Sequence, residues 1–328
     1  MGAIYTSRSW QTPADSRLMQ ALVSRCWMAD WPAMHLHAGD VDWWTVHALG
    51  RSPGLEERIR LWYAGESDAT ELVGFGWYGP PGDADLVIDP DHRAIALIGP
   101  MVAWVDERAS RYGATVPSRL GGLDGDAVLG PAGSEPVRVW AVETAAPIVD
   151  ALVALGCTRG PEPGFVHFTA TTAGLDLVGP SVPAGYTLAT IASEADIAGR
   201  VAAGHAAFPG STMTVEKYRF CRRTPLYRPA LDFVARAPDG SIAAFALGWL
   251  DPLTLGVELE PVGVVPDHQR RGVGAAVCRA ALRAATGMGA TRAIIAAEAA
   301  NPAANSLYAS LGLRVEARIV PWLRPGRP

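Results

Sequence analysis

The chain has 328 residues, 49% of them hydrophobic and 19% charged, with a formal net charge of −5. That length predicts two domains, and that balance predicts a sizeable core and excludes an intrinsically disordered chain. An acidic chain without a basic stripe or tail argues against nucleic acid as a partner. The lack of any run of about 18 uncharged apolar residues argues against a membrane span.

The N-terminus, Met1–Trp10, lacks the basic and apolar regions of a secretory signal. Four cysteines (Cys26, Cys157, Cys221 and Cys278) lie far apart in the sequence. Their spacing predicts neither a structural zinc site nor a disulfide framework, so a reduced, cytoplasmic protein is expected and no metal. The basic residues are 27 Arg and the single Lys217, a bias expected of a GC-rich bacterial genome and without catalytic meaning.

In chain order, Leu72–Tyr78 reads as a strand, and Asp85–Asp89 leads into the turn Pro90-Asp91-His92-Arg93. Leu120–Gly133 is rich in Gly and Asp and reads as an exposed loop. Gly174, Gly179, Pro180, Pro183 and Gly185 mark a linker near Thr172–Ala184. Beyond it, strands are expected at Tyr186–Ile191, Leu231–Arg236, Ile242–Trp249, Gly256–Val264, Ala293–Ala297 and Arg314–Val320. Helices are expected at Glu194–Ala207, Val215–Arg223, Val273–Met288 and Pro302–Leu311. Such alternation predicts an α/β fold, with a mixed sheet of α+β type and helices on its faces.

The two halves repeat. Pro90-Asp91-His92-Arg93 matches Pro266-Asp267-His268-Gln269, and Ala151–Cys157 matches Leu307–Leu313. Two tandem copies of one fold are therefore expected, with domains at 1–175 and 185–328. Their charges differ. Residues 1–176 hold 22 acidic residues and 12 Arg, whereas residues 177–328 hold 11 acidic and 16 basic residues. A small polyanion is expected in the second half.

The densest signal is Val264-Val265-Pro266-Asp267-His268-Gln269-Arg270-Arg271-Gly272-Val273-Gly274, which follows a strand and opens a helix. Gly272 and Gly274 allow close backbone approach, and a helix N-terminus presents unpaired N–H groups to an anion. The segment resembles the acetyl-CoA-binding motif of the GNAT N-acetyltransferase superfamily: Gln or Arg, two residues, Gly, one residue, then Gly or Ala. A second family motif follows as Asn301, Ala304, Tyr308 and Leu311-Gly312-Leu313, with Leu313 in place of the usual Phe. The resemblance covers about residues 186–320, and the repeated half gives a tandem arrangement resembling mycothiol synthases.

The resemblance implies an acetyl-CoA-dependent N-acetyltransferase in which acetyl-CoA is the acyl donor. Backbone groups of Val262, Gly263 and Val264 would pair with the pantetheine arm. Gln269, Arg270, Arg271, Gly272, Val273, Gly274 and Ala275 would form the pyrophosphate cradle, and Asn301 would contact the cofactor arm. Tyr308 would stand by the thioester sulfur.

An amine must be neutral to attack a thioester, which calls for a base, and the leaving thiolate calls for an acid. Glu258 and Glu260, two apart on one strand and so on one side, are the candidate bases. Glu258 matches the general-base position of GNAT histone acetyltransferases, and Glu260 is an alternative or a ligand for the substrate ammonium. Tyr308 is the candidate acid. A non-catalytic acyl-CoA sensor and a protein N-acetyltransferase are the alternatives to a small-molecule amine acceptor. Oligomeric state is left open.

The first copy departs wherever the second carries function. Ala96 and Ile98 stand for Gly272 and Gly274, Arg93 for Gln269, Ala145 for Asn301 and Leu152 for Tyr308. It is expected to be degenerate and without catalysis. His35 and His37 read as solvated loop histidines, His205 as a minor substrate-ligand candidate, and Cys278 as buried and inert. The tryptophans of the first half read as core and domain-interface packing, with an aromatic substrate wall as the lesser alternative.

Overall fold

The computed structural model describes residues 4–65, 71–112, 136–177 and 182–324. The loop expected at Leu120–Gly133 lies outside them. The chain forms two compact units. One comprises residues 1–41, 48–165 and 317–328, and the other residues 42–47 and 166–316.

The first unit contains β1 (Tyr5–Ser9), α1 (Pro13–Asp30), α2 (Ala38–Ala48, residues 42–47 excepted), α3 (Leu55–Arg58), β2 (Ile59–Ala64), β3 (Leu72–Gly79), β4 (Asp83–Ile88), α4 (Ile95–Tyr112), β5 (Val137–Val142), α5 (Ala146–Ala154) and β6 (Thr158–Arg159). The second contains β7 (Phe165–Thr171, Phe165 excepted), β8 (Thr187–Thr190), α6 (Glu194–Ala207), α7 (Val215–Cys221), β9 (Asp232–Arg236), β10 (Ile242–Leu250), β11 (Gly256–Val264), α8 (Val273–Gly287), β12 (Arg292–Glu298) and α9 (Pro302–Ser310). The last strand, β13 (Arg314–Arg324), belongs to the first unit from Ala317 onward.

Each unit carries a mixed sheet. In the first the order is β1-β2-β3-β4-β5-β13, with β6 on β13 and only β4–β5 parallel. In the second it is β7-β12-β11-β10-β9-β8, with β11–β12 parallel and the β8–β9, β9–β10 and β10–β11 pairs antiparallel. The shared sequence β4–turn–α4–β5–α5 and β11–turn–α8–β12–α9 is the repeat that the sequence announces. A one-turn helix at Pro90–His92 and another at Pro266–His268 occupy matching places.

The second unit's core lies on the α8 side of its sheet. There Val257, Leu259, Ala244 and Ala246 meet Val277, Ala281, Ala285 and Leu311, all buried. α8 forms because Val273, Val277, Ala280, Ala281 and Ala284 recur at helical spacing, and it stops where Gly289 takes φ +99°. In the first unit β13 extends past Val320 to Arg324, since β5 offers it a partner along the whole edge. Val320 and Trp322 enter that unit's core with Trp62, Met101 and Trp104. Among the described residues no helix is long and apolar enough to cross a membrane.

The histidine pair corrects its sequence reading. His35 is bonded through Nε2 to the buried Asp85 at 2.9 Å. His37 is 1% exposed, and its Nδ1 accepts from the Gly39 N–H at 3.0 Å. Neither is a solvated loop residue, because Asp85 lies far off in sequence and only the fold brings it near.

α6 starts at a reciprocal cap. Ser193 accepts from the Asp196 N–H at 3.2 Å, and Asp196 accepts from the N–H groups of Ser193 (2.8 Å) and Ala192 (3.0 Å). Burial works to raise the Asp196 carboxyl. The donors at Ser193, Ala192 and Arg236 outweigh it and hold the group down to about 2. A carboxyl held below its unfolded value stabilises the fold above about pH 4 and loses that contribution as pH falls through 2. Asp196→Ala should therefore cost about 1 kcal/mol in urea unfolding at pH 7, with the difference from the parent shrinking between pH 4 and pH 2.

Candidate active site

The site of the second unit begins where two parallel strands part. The β11–β12 ladder pairs Gly256 with Arg292, Val257 with Ala293 and Glu258 with Ile294, and there it ends. On its other side β11 stays paired with β10, except for a shift between Ala246–Val262 and Gly248–Leu259. Two residues of β11, Glu260 and Pro261, thus oppose only Leu247, which makes a β-bulge. The Trp249 indole N–H, itself on β10, donates to the Glu260 carbonyl at 2.6 Å and holds the bulge in place.

Beyond the bulge the backbone turns outward. The Val265 N–H donates to the Ala243 carbonyl at 2.9 Å, so Ala244–Val264 is a pair that does not bond to itself. The N–H and C=O of Val264, and by alternation those of Val262, face the gap left by β12. The Gln269 side-chain amide reaches the Val264 carbonyl only at 3.5 Å. Gly263 lies between them facing the other way. A Cβ there would stand 2.2 Å from the Phe245 ring, so the aromatic ring covers the bare glycine backbone.

At the end of β11 the chain enters α8 through two left-handed residues, Arg270 at φ +60° and Gly272 at φ +82°. The first costs on the order of 1 kcal/mol for a residue with a Cβ, and the second is free for glycine. Gly274 brings the helix hard against β11, since a Cβ would come within 2.9 Å of Val264 Cγ2. No side chain caps α8 and its first turn carries no acid. Among the described residues, no acceptor meets the N–H groups of Val273, Gly274 and Ala275; the next, Ala276, bonds back to Gly272. Arg270 and Arg271 are exposed beside them. The result is a positive, uncapped helix end at the mouth of the gap.

Three titratable side chains gather near the bulge. Glu258 is 3% exposed, whereas Glu260 is half-buried. One carboxylate oxygen of each lies within 4.8 Å of the other, so the two do share a side despite the bulge. Tyr308, on α9, is 5% exposed and stands edge-on to Phe168 at 5.7 Å. Burial, and after it the neighbouring Cys278 and Glu260, push its phenol well above the ordinary tyrosine value. It therefore stays protonated at every working pH. Burial pushes the Cys278 thiol up to about 12, leaving it a poor nucleophile.

Asn301 caps α9, its Oδ1 accepting from the Ala304 N–H at 3.1 Å. Only its Nδ2 is left to donate. His205 is bonded through Nε2 to the Met213 carbonyl at 2.7 Å and ties down the segment between α6 and α7. The sequence reading passed over Trp249, Phe245 and Arg200. Counting outward from the turn after Leu250 pairs Trp249 with Glu258 and would have found the first. Arg200 is 3% exposed and stacks its guanidinium 3.3 Å from the Phe245 ring centre, a contact no spacing rule foretells.

The sequence profile of the acetyltransferase (GNAT) family matches residues 205–313. No curated protein sequence matches the chain. Solved structures do. A tandem GNAT protein from the clavulanic acid biosynthesis pathway is 16% identical over 99% of both chains, with a TM-score of 0.64. A GCN5-related N-acetyltransferase from Sphaerobacter thermophilus is 20% identical over 99% of this chain and 96% of its own, with a TM-score of 0.60. A GNAT acetyltransferase from Colwellia psychrerythraea is 15% identical over 97% and 99%, with a TM-score of 0.58. At these identities the likeness speaks for the fold. Residues 205–313 thus match the acetyltransferase (GNAT) family, and the chain has the fold of a tandem GNAT protein.

Proposed function

We propose that the chain is an acetyl-CoA-dependent N-acetyltransferase that passes an acetyl group directly to a primary amine of a small molecule. The observation that carries this is the pairing of an uncapped helix end at Val273–Ala275 with a parted strand edge, next to two carboxylates and a buried phenol. Acetyl-CoA would supply the activated acyl group. The N–H groups of Val273, Gly274 and Ala275 suit its pyrophosphate, and the outward backbone of Val262 and Val264 suits the amides of its arm.

The remaining chemistry belongs to the side chains. Glu258 takes the proton from the amine, directly or through water, because only the neutral amine attacks. A backbone N–H of the β11 edge faces the carbonyl oxygen as charge develops on it, a donor that needs no reorganisation. Tyr308, kept protonated by burial, donates to the departing thiolate. Cys278 forms no acyl-enzyme, since its thiol is buried and raised. A non-catalytic acyl-CoA binder would need the helix end but neither acid nor base. Incubating the full chain with acetyl-CoA and a panel of amines, with free thiol as the readout, tests the assignment; no acceptor-dependent thiol release from any amine would favour the binder.

Tyr308→Phe should lower kcat by about 10²–10⁴ with little change in acetyl-CoA affinity. An unchanged kcat would remove Tyr308 from the role of acid. Glu258→Gln should abolish most activity at neutral pH and recover part of it at high pH, where free amine is abundant. The same behaviour from Glu260→Gln alone would move the base to Glu260.

Titration calorimetry should count one acetyl-CoA per chain and lose it in Gly274→Ile. The first unit's α4 spends its Leu97 and Ile98 N–H groups on the Ala94 carbonyl, each at 3.0 Å, and Ile98 is fully buried in the core. Two sites per chain, or tight binding that survives Gly274→Ile, would overturn that count.

A further inference from the structure

The parallel strands of the first unit also part, around a slot of about 290 Å³. The β4–β5 ladder pairs Asp83 with Arg138, Ala84 with Val139 and Asp85 with Trp140, and then stops. Leu86, Ile88, Ala141, Val142 and Ile148 give the slot apolar walls. The backbone of each wall is legible from the strand behind it. The Asp89 N–H donates to the Val73 carbonyl, so Leu86 and Ile88 turn their N–H and C=O groups away from β3 and toward β5. The Glu143 N–H donates to the Arg318 carbonyl, so Val142 turns its groups away from β13 and toward β4.

A ladder that ran on would next join the Val142 N–H to the Leu86 carbonyl, and then the Ile88 N–H to the Val142 carbonyl. Neither bond forms. The Val142 carbonyl accepts instead from the Ala145 N–H at 3.0 Å. Among the described residues the other three groups have no partner: the Leu86 carbonyl and the Ile88 N–H on one wall, and the Val142 N–H on the other. Past them the Ile88 carbonyl is taken by Arg93 Nε and the Cys26 thiol, each at 3.3 Å.

The directions of these groups dictate what can enter. A trans amide points its N–H and its C=O to opposite sides. Set across the slot, it donates its N–H to the Leu86 carbonyl and accepts the Val142 N–H on its C=O. The Ile88 N–H then needs a second carbonyl, on the side of the first amide's N–H. In an extended chain that carbonyl stands one α-carbon further on, because the N–H and C=O of one residue face the same way. The three groups together describe an N-acylated α-amino-acid residue running parallel to β4 and β5. A free amino terminus fails, since it brings an ammonium where the Val142 N–H needs an acceptor. Arg93 and Asp30, on the slot's wall, are paired with each other through two hydrogen bonds, so neither calls for a charged end on the ligand.

We infer that the first unit's slot binds an N-acylated α-amino-acid residue, held as a short strand between β4 and β5. An α-amine acetylated by the proposed reaction would acquire this group; that link alone rests on the proposed function, and the site does not.

The test uses the full chain with saturating coenzyme A, the proposed occupant of the second unit's gap, and follows binding by ligand-observed NMR. N-acetylalanine N-methylamide should bind at one site per chain. Three analogues each remove one contact. O-acetyllactic acid N-methylamide lacks the N–H for Leu86, N-(pentan-2-yl)acetamide lacks the carbonyl for Ile88, and alanine N-methylamide lacks the carbonyl for Val142. Each should bind roughly tenfold or more weakly, the cost of one buried hydrogen bond left unmade. Ala146 is exposed and lines the slot. Ala146→Trp should block the parent ligand while leaving the melting temperature and coenzyme A binding unchanged. No binding of the parent, an analogue that binds as well as the parent, or binding indifferent to Ala146→Trp would overturn the assignment. So would a second equivalent of coenzyme A that displaces the parent. Failure of the parent to bind while one coenzyme A stays bound counts against the slot alone and leaves the proposed function standing. The comparison of ligands needs no variant and holds even if Ala146→Trp fails to fold.

Discussion

An interrupted parallel ladder governs the shape of the second unit's candidate site. Backbone N–H and C=O groups demand partners, and a sheet normally supplies them strand by strand. When β12 leaves β11 after Glu258–Ile294, the demand stays and the partner goes. The bulge at Glu260-Pro261 and the Trp249 bond to the Glu260 carbonyl keep the freed edge in a fixed shape. Gly263 under Phe245, and Arg200 stacked on that ring, fill the space behind it. The candidate catalytic groups lie around this edge, with Glu258 just before the bulge, Glu260 within it and Tyr308 beside Glu260.

The two units show what survives duplication and what does not. Both keep the short helical turn, at Pro90–His92 and Pro266–His268, and both brace it with a tyrosine. Tyr5 meets His92 Nδ1 at 3.2 Å, and Tyr186 meets His268 Nδ1 at 2.9 Å. Both keep the parting strands. They differ at the next helix, where α8 has Gly274 with an open N–H while the matching Ile98 of α4 is in the core with its N–H bonded to the Ala94 carbonyl. The architecture of a slot is thus separable from the ability to hold a phosphate. Selection on the second property can lapse without collapse of the first, because the slot is made by the sheet and the proposed anion site depends on two small residues.

Much of this was readable in the residues. Gly272 and Gly274 are where the motif requires them for reasons the structure makes concrete, a positive φ at one and a 2.9 Å approach at the other. The bounds of α6 and β11 follow from the Ser193 cap and from the turn that ends at Gly256. The parting of the strands was not readable, since Val257, Leu259, Val262 and Val264 are apolar on both sides of it. Asn301 was read as a cofactor contact, and half of its hydrogen-bonding capacity is spent on capping α9. His35 was misread because its partner, Asp85, is set by tertiary structure alone.

The exchanged terminal strand bears on how the protein is made. β13 leaves the ribosome after the whole second unit, yet Ile319–Arg324 complete the edge of β5, and Val320 and Trp322 finish a core otherwise built from the first half of the chain. The first unit must therefore wait, with one strand edge open and part of its core uncovered, while the whole second unit is synthesised. An open edge of this kind invites pairing with another nascent chain. Arg138 on that strand is bonded to Asp83, putting charge at the waiting edge, as natural sheets often do. A ribosome that stops before Arg314 would release a chain lacking the strand its earliest-made domain needs.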